Sequence, residues 1–142
     1  MRTLSGHNMK IKMMIASTVL SAFTACSAIS PIFVDYNGVH MDVAKWINHQ
    51  QLLSMQQKRS LAQLSRAQQK LYRIDEITES QKLSIAKENQ IALHCARQYL
   101  SEKKITQLQE QVFGKDQRQQ ILNTYTEKFP QIKLDTSSIT CD

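Results

Sequence analysis

Apolar residues recur at helical spacing over most of the chain that follows residue 40. One stripe repeats at intervals of three, four and three residues and consists of Leu61, Leu64, Gln68 and Leu71. This spacing places four side chains on one face of an α-helix, with a single polar interruption. The stretch between Val39 and Phe113 has neither glycine nor proline, is rich in helix-favouring residues and shows no strand pattern. The sequence therefore predicts an all-α fold of four or five short helices in a small bundle.

Two polar pairs predict where helices begin. Ser54 is followed three residues later by Gln57, and Thr78 is followed in the same way by Gln81. In such a capping box the hydroxyl and the amide each bind a free main-chain N–H group of the first turn. Gly114 lies just after another apolar stripe, in the position that favours the end of a helix.

Three further helices have predicted inward faces. The first is expected over Asp42–Gln51, with Val43, Trp46 and Ile47 inside. The longest follows Thr78, with Leu83, Ala86, Leu93 and Leu100 on one face and Ile85, Ala92, Cys95 and Tyr99 on the next. The last is expected over Asp116–Phe129, with Ile121, Leu122, Tyr125 and Phe129 inside and Pro130 as its stop. Two apolar faces on the longest helix indicate a central position in the bundle.

The beginning of the chain has a different pattern. Lys10 and Lys12 precede Met13–Ala25, a stretch without a charged residue. These 13 residues are fewer than the roughly 20 that a membrane-spanning helix needs. A basic start, a short apolar run and small residues at its end predict a secretory signal peptide over residues 1–25.

The residues Ala22–Cys26 resemble the lipobox of bacterial lipoproteins. This resemblance implies cleavage before Cys26, acylation of that cysteine with palmitate or a similar chain, and attachment to a membrane. Ser27 in the next position, where an aspartate would retain the protein at the inner membrane, implies the periplasmic face of the outer membrane. The alternative is ordinary cleavage after Ala28. We expect a lipidated linker over residues 26–40 and a helical domain over residues 41–142.

The cysteine count bears on the C-terminal tail, which the sequence predicts to be irregular. The chain has three cysteines, and assigning Cys26 to the lipid leaves Cys95 and Cys141 as a pair. A bond between them closes a loop of 46 positions, and such a loop lowers the entropy of the unfolded chain by an equivalent of about 4 kcal/mol. The alternative is two separate buried thiols.

Charge gives little indication of a partner. The chain has 18 basic and 12 acidic residues, and three of the basic residues precede Cys26, which leaves +3 for the mature chain. This charge is small and evenly spread along the sequence, so nucleic acid is not an expected partner. The adjacent basic pairs Lys58–Arg59 and Lys103–Lys104 are not expected to form a patch.

No motif for catalysis or for a cofactor is recognisable. His40, His49 and His94 lack the four-residue spacing that places two imidazoles on one helical face, so neither a metal site nor another cofactor is expected. No serine lies in a nucleophile-elbow pattern. We therefore expect that the protein is not an enzyme.

A longer pattern spans Tyr36–Glu76. It consists of Tyr36-Asn37, Trp46, Leu53-Ser54-x-x-Gln57 and Leu71-Tyr72-Arg73. It resembles the opening of an uncharacterised, domain-of-unknown-function family of proteobacterial lipoproteins. Our candidates for an interaction surface are Tyr36, Trp46, Leu53 and Tyr72, for which core packing is the alternative. The expected function is a non-catalytic interaction or structural role in the cell envelope, with other envelope proteins as possible partners.

Leu53-Ser54-x-x-Gln57 is also similar to the Leu-Thr-x-x-Gln motif of small periplasmic helical proteins of the Spy and CpxP kind. A degenerate second copy, Phe113-Gly114-x-x-Gln117, precedes the last predicted helix. This resemblance implies the alternative function, which is that of a periplasmic chaperone or an envelope-stress regulator.

Overall fold

The computed structural model describes residues 36–141, all of which belong to one compact unit. Its five α-helices are α1 (Met41–Asn48), α2 (Met55–Gln69), α3 (Glu79–Tyr99), α4 (Glu102–Phe113) and α5 (Lys115–Lys128). Short 3-10 turns occupy Ile74–Glu76 and Thr136–Ser138, and no strand occurs between residues 36 and 141. The predicted all-α fold is confirmed. None of these helices combines the length and the apolar character needed to cross a membrane.

The centre of the bundle is formed by α2, α3 and α4. Gln57 at the start of α2 donates through Nε2 to the carbonyl oxygen of Tyr99 at the end of α3 (3.0 Å), so these two helices run antiparallel. The largest fully buried apolar side chains are Ile47, Leu61, Leu64, Leu71 and Leu108. The stripe predicted on α2 is buried throughout, including Gln68, which is 4% exposed.

Both predicted capping boxes lie where helices begin. Ser54 Oγ accepts a hydrogen bond from the N–H of Gln57 (3.2 Å), and Gln57 Oε1 accepts one from the N–H of Ser54 (2.9 Å). At the start of α3, Gln81 Oε1 accepts from the N–H of Thr78 (3.0 Å). These bonds satisfy main-chain donors that have no partner inside the helix, which is why both helices begin at these positions.

The first helix is shorter than predicted. It was expected to reach Gln51, but α1 ends at Asn48. The N–H of Gln50 donates to the carbonyl oxygen of Ile47 (3.1 Å), and the N–H of Leu53 donates to that of Gln50 (3.2 Å). Two successive tight turns therefore reverse the chain into α2, and periodicity alone does not reveal such a reversal.

Gly114 joins α4 to α5 as a single residue. Its φ angle is +80°, in the left-handed region. A Cβ atom built there would meet no atom within 4 Å, so the reason for glycine is backbone conformation and not space. The predicted helix end at Gly114 is confirmed, and α5 begins one residue before the predicted Asp116.

One residue predicted to face inward on α3 does not. Leu83 is 61% exposed, whereas Ala86 and Leu100 on the same predicted face are buried. In the antiparallel pair, Asn89 of α3 lies opposite Ala67 of α2, to whose carbonyl oxygen its Nδ2 donates (3.0 Å). Because α2 ends at Gln69, the first turns of α3 extend beyond it and leave Leu83 without a partner there.

Residues 36–40 lie against the helices, although the sequence assigned them to a linker. Tyr36 donates through its hydroxyl to Asn48 Oδ1 (2.6 Å). Gln69 accepts from the N–H of His40 (2.7 Å) and donates to the carbonyl oxygen of Gly38 (2.8 Å). Residues 1–35, including the predicted signal peptide and Cys26, lie outside the described residues.

Candidate functional site

The disulfide predicted from the cysteine count is present. Cys95 lies on α3 with its side chain 0% exposed, and it is bonded to Cys141 in the C-terminal tail. The two sulfur atoms are 2.03 Å apart, and the two Cα atoms are 5.4 Å apart. The pairing of Cys95 with Cys141 is thereby confirmed, and the alternative of two separate thiols is wrong.

The C-terminal tail, residues 130–141, follows α3 from its first turns toward its end. Just before the tail, Phe129 is buried, with Lys82 Nζ 5.8 Å from the centre of its ring. Further on, the side-chain amide of Gln90 faces the main chain of Ile132. With the amide oriented to satisfy both groups, its nitrogen donates to the carbonyl oxygen of Ile132 (2.5 Å) and its oxygen accepts from the N–H of Ile132 (3.1 Å). The disulfide at Cys95 holds the far end. The tail is therefore attached at separate points along one helix.

The four residues predicted to form an interaction surface do not lie in one patch. Tyr36, Trp46 and Leu53 are partly buried and pack against the core. Tyr72 is 53% exposed. Leu53 precedes α2 and Tyr72 follows it, so the 15 residues of α2 separate them by about 22 Å of helix.

One lysine from each of the two adjacent basic pairs contacts the C-terminal end of α1. Lys58 Nζ donates to the carbonyl oxygen of Asn48 (3.3 Å). Lys104 Nζ donates to Gln50 Oε1 (2.9 Å) and lies 5.7 Å from the centre of the Trp46 ring. Lys58 and Lys104 are 46 positions apart in the sequence, and the packing of α1 against α2 and α4 brings both to the same end of the bundle. That neither basic pair forms a patch stays a prediction.

We call this region the basic end. At this end of the bundle α1 and α3 end and α2 and α4 begin. The basic end comprises the charged residues in the last five positions of α1 and α3 and in the first five positions of α2 and α4, which are Lys45, Lys58, Arg59, Arg97, Lys103, Lys104 and Glu102. Its single carboxylate, on Glu102, is 2.8 Å from Arg97 Nε. The basic end therefore has a formal charge of +5, whereas the other described residues have nine basic and nine acidic side chains. The entire net charge of residues 36–141 lies at one end of the bundle.

An apolar side chain projects from the basic end. Leu52, in the turn between α1 and α2, is 100% exposed, while its neighbour Leu53 packs against the core. Trp46 is partly buried beneath Lys104. Exposed leucines are common on protein surfaces, but this one lies in the turn between Lys45 of α1 and Lys58 and Arg59 of α2.

A cavity of about 310 Å³ lies between α2, α3, α4 and α5. Its apolar lining includes Leu71, Leu93, Ile105 and Leu122. Gln68 and Asn89 also line it and are each 4% exposed. Among the described residues, no hydrogen-bond donor reaches Gln68 Oε1 or Asn89 Oδ1.

The sequence does not predict this cavity. The only signal for it is Gln68, the polar interruption of an otherwise apolar stripe. The sequence gives no signal for Asn89, because this residue is buried only when α2 packs against α3. Its Nδ2 donates to the carbonyl oxygens of Ala67 and Ile85 (3.0 Å each), which joins α2 to α3.

The titratable groups show no catalytic arrangement within residues 36–141. No group of three His, Cys, Asp or Glu side chains in this part of the chain lies close enough to hold a metal ion. His49 Nδ1 is 2.7 Å from the carbonyl oxygen of Lys45, and His94 Nε2 is 3.0 Å from Gln98 Nε2. Burial raises the pKa of the Tyr36 and Tyr125 hydroxyls above the usual 10.0. That the protein is not an enzyme stays a prediction.

Comparisons of the chain with protein-family models, with curated proteins and with solved structures gave no match. The two resemblances drawn from the sequence, to a lipoprotein family and to periplasmic chaperones, therefore stay predictions. So do the signal peptide and the lipid on Cys26.

Proposed function

We propose that the protein is a periplasmic lipoprotein, anchored through Cys26 in the outer membrane, whose helical domain binds other envelope components without catalysis. The observation that supports this most strongly is the Cys95–Cys141 disulfide. Such bonds form and persist in oxidising compartments such as the periplasm. A disulfide that ties down a C-terminal tail is therefore in keeping with export.

The same bond supports the assignment of Cys26. It uses two of the three cysteines, so Cys26 has no partner of its own chain left to bond with. Cys26 directly follows the apolar run Met13–Ala25. A cysteine in this position that takes no part in a disulfide is the residue that acylation requires.

The proposal of a binding role depends on what the described residues offer. Buried side chains are used for packing, the histidines make local hydrogen bonds, and no metal-ligating cluster occurs within residues 36–141. Apart from the cavity between α2, α3, α4 and α5, the features left over are on the surface, namely the basic end and the exposed Leu52. A function that uses surfaces is the one that such a molecule supports best.

The anchor is tested by metabolic labelling with a palmitate analogue in a proteobacterial host. We expect label on the wild-type chain and on Cys141→Ser, which keeps Cys26. We expect none on Cys26→Ser. Label that persists on Cys26→Ser contradicts the proposed anchor.

The binding role is tested by crosslinking in intact cells, followed by identification of the captured proteins. One or two envelope proteins in stoichiometric amounts support an interaction module. Many unrelated unfolded clients, together with suppressed aggregation in vitro, would replace it by the chaperone function that the Leu-Ser-x-x-Gln resemblance implies.

A further inference from the structure

We infer that the basic end docks the helical domain onto an anionic phospholipid surface. The inference rests on the proposed function in one respect, which is that a lipid on Cys26 places the domain beside a membrane. The surface itself is defined by the described residues alone. It combines concentrated positive charge, the projecting side chain of Leu52 and a contact with Tyr36, the first described residue.

Three of the six cations at the basic end are available to a partner. Lys45, Arg59 and Lys103 are exposed, and no carboxylate among residues 36–141 forms an ion pair with any of them. Lys58 is buried against Asn48, Lys104 is bonded to Gln50, and Arg97 is paired with Glu102. The other described ion pairs lie elsewhere in the bundle, for example Lys70 with Glu88 and Lys128 with Asp75. A basic residue close to an anionic bilayer contributes about 1 kcal/mol of attraction. A net charge of +5 at one end of a bundle that is otherwise neutral therefore orients the molecule as well as attracting it.

Leu52 favours a lipid surface over another anionic partner. It is 100% exposed in the turn between α1 and α2, with cationic side chains on both of these helices. A lipid interface has phosphate groups at its surface and hydrocarbon just beneath them, and it accommodates this combination of cations around an apolar tip. The phosphates of a nucleic acid would bind the cations, but a nucleic acid has no hydrocarbon layer for Leu52.

The length of the connecting segment permits this docking. Tyr36 is ten positions after Cys26, and a fully extended chain of ten steps reaches about 35 Å. The hydroxyl of Tyr36 is bonded to Asn48, whose carbonyl oxygen accepts from Lys58 of the basic end. The side chain of Tyr36 thus reaches the basic end, whereas the main chain of Gly38 and His40 is bonded to Gln69 at the other end of α2. The tether gives the domain a high effective concentration at the bilayer.

The test uses the chain from residue 26 to Asp142 with Cys26→Ser, so that no acyl group contributes to binding. The whole described core lies within this chain, and circular dichroism checks the fold of each variant. Co-sedimentation is measured with vesicles of phosphatidylcholine alone and with vesicles that also contain phosphatidylglycerol. We expect binding only to the phosphatidylglycerol vesicles, and we expect it to weaken as salt is added.

Two double variants locate the binding surface. Lys45→Gln with Lys103→Gln removes two charges from the basic end, and the partition coefficient should fall about 30-fold. Lys87→Gln with Lys133→Gln removes two exposed, unpaired lysines elsewhere and gives a chain of the same net charge. This control should lose about fivefold or less, through long-range charge alone. Leu52→Asn should weaken binding several-fold without a change of charge.

Three results would overturn the inference. The first is equal binding to both kinds of vesicle, and the second is equal losses in the two double variants. The third is the absence of binding to the phosphatidylglycerol vesicles. Because the assayed chain carries no lipid, its result is independent of the palmitate experiment. Failure of one proposal can therefore be distinguished from failure of the other.

Discussion

The bundle core and the C-terminal tail are held in place by different kinds of contact. In the core, which α2, α3 and α4 form, leucines such as Leu64 and Leu108 are 0% exposed. In the tail, residues 130–141, most side chains are exposed, and attachment depends on discrete points such as Ile132 and Cys141. Packing is cooperative because many side chains share it, whereas each discrete attachment can be lost separately.

This difference follows from the sequences of the two regions. The core helices have apolar residues every three or four positions, so each helix buries a continuous stripe. In the tail the apolar residues are Ile132, Leu134 and Ile139, and only the first of them packs against the core. A segment that cannot bury a face of its own stays in place only if specific bonds hold it.

The largest expected effect comes from a leucine that the core buries completely. Leu64→Ala should lower the free energy of unfolding by about 2–5 kcal/mol, because it removes buried surface and leaves a cavity. Leu134→Ala is the matched change in the tail and should cost less than about 1 kcal/mol. Urea denaturation followed by circular dichroism measures both values. Similar losses in the two variants would contradict the distinction between core and tail.

The second prediction concerns the disulfide. Cys141→Ser should lower the free energy of unfolding by up to about 4 kcal/mol, the entropy equivalent of the loop that the bond closes. Hydrogen exchange should show lost protection in the tail and retained protection in α2 and α3. Cys26→Ser keeps the bond and serves as the control. Loss of protection throughout the bundle would mean that the tail and the core form one cooperative unit.

A smaller effect is expected where the tail meets α3. Gln90→Met removes the side-chain amide that pairs with both main-chain groups of Ile132, at a cost of about 1 kcal/mol. The amide of Ile132 should then exchange about fivefold faster while the disulfide remains intact. Gln98→Met, an equivalent change at an exposed site on the same helix, should leave this exchange rate unchanged. An unchanged rate in Gln90→Met as well would show that the disulfide alone holds the tail.

The last prediction concerns alkaline pH, which should affect the core and not the tail. Burial raises the pKa of the Tyr125 hydroxyl above 10.0, and residues 130–141 contain no tyrosine. Because the folded state favours the neutral phenol, its contribution to stability is complete below about pH 10 and is lost as the pH rises through the raised value. Tyr125→Phe should reduce this fall in stability, measured by denaturation between neutral and alkaline pH. Tyr72→Phe, at a residue that is 53% exposed, should not.

Local patterns in the sequence predicted most of the fold. The helix starts at Ser54 and Thr78 depend on side chains three residues apart, and the helix end at Gly114 depends on one backbone angle. Such interactions are complete within a few residues, so the sequence contains all of their determinants. The errors arose where a neighbouring element decides the outcome, as with the end of α1 and the exposure of Leu83.

The pairing of the cysteines was predictable for a different reason. With three cysteines, of which the lipobox-like pattern assigns one, a single pairing remains, and Cys95 with Cys141 is the pair that the structure contains. Counting gave this result without any knowledge of distance. The path of the tail along α3, which the pairing requires, was not predictable, because it depends on the side-chain amide of Gln90 meeting the main chain of Ile132.

The sequence by itself determined the helices, their caps and the disulfide, because periodicity, capping and residue counts are properties of the chain alone. Only the tertiary structure decided which side chains share a surface. Lys58 and Lys104 are far apart in sequence, yet both bind groups at the end of α1. The charge that looks evenly spread along the chain is therefore concentrated at one end of the bundle. Electrostatic potential depends on distances in space, and the packing of α1 against α2 and α4 sets those distances.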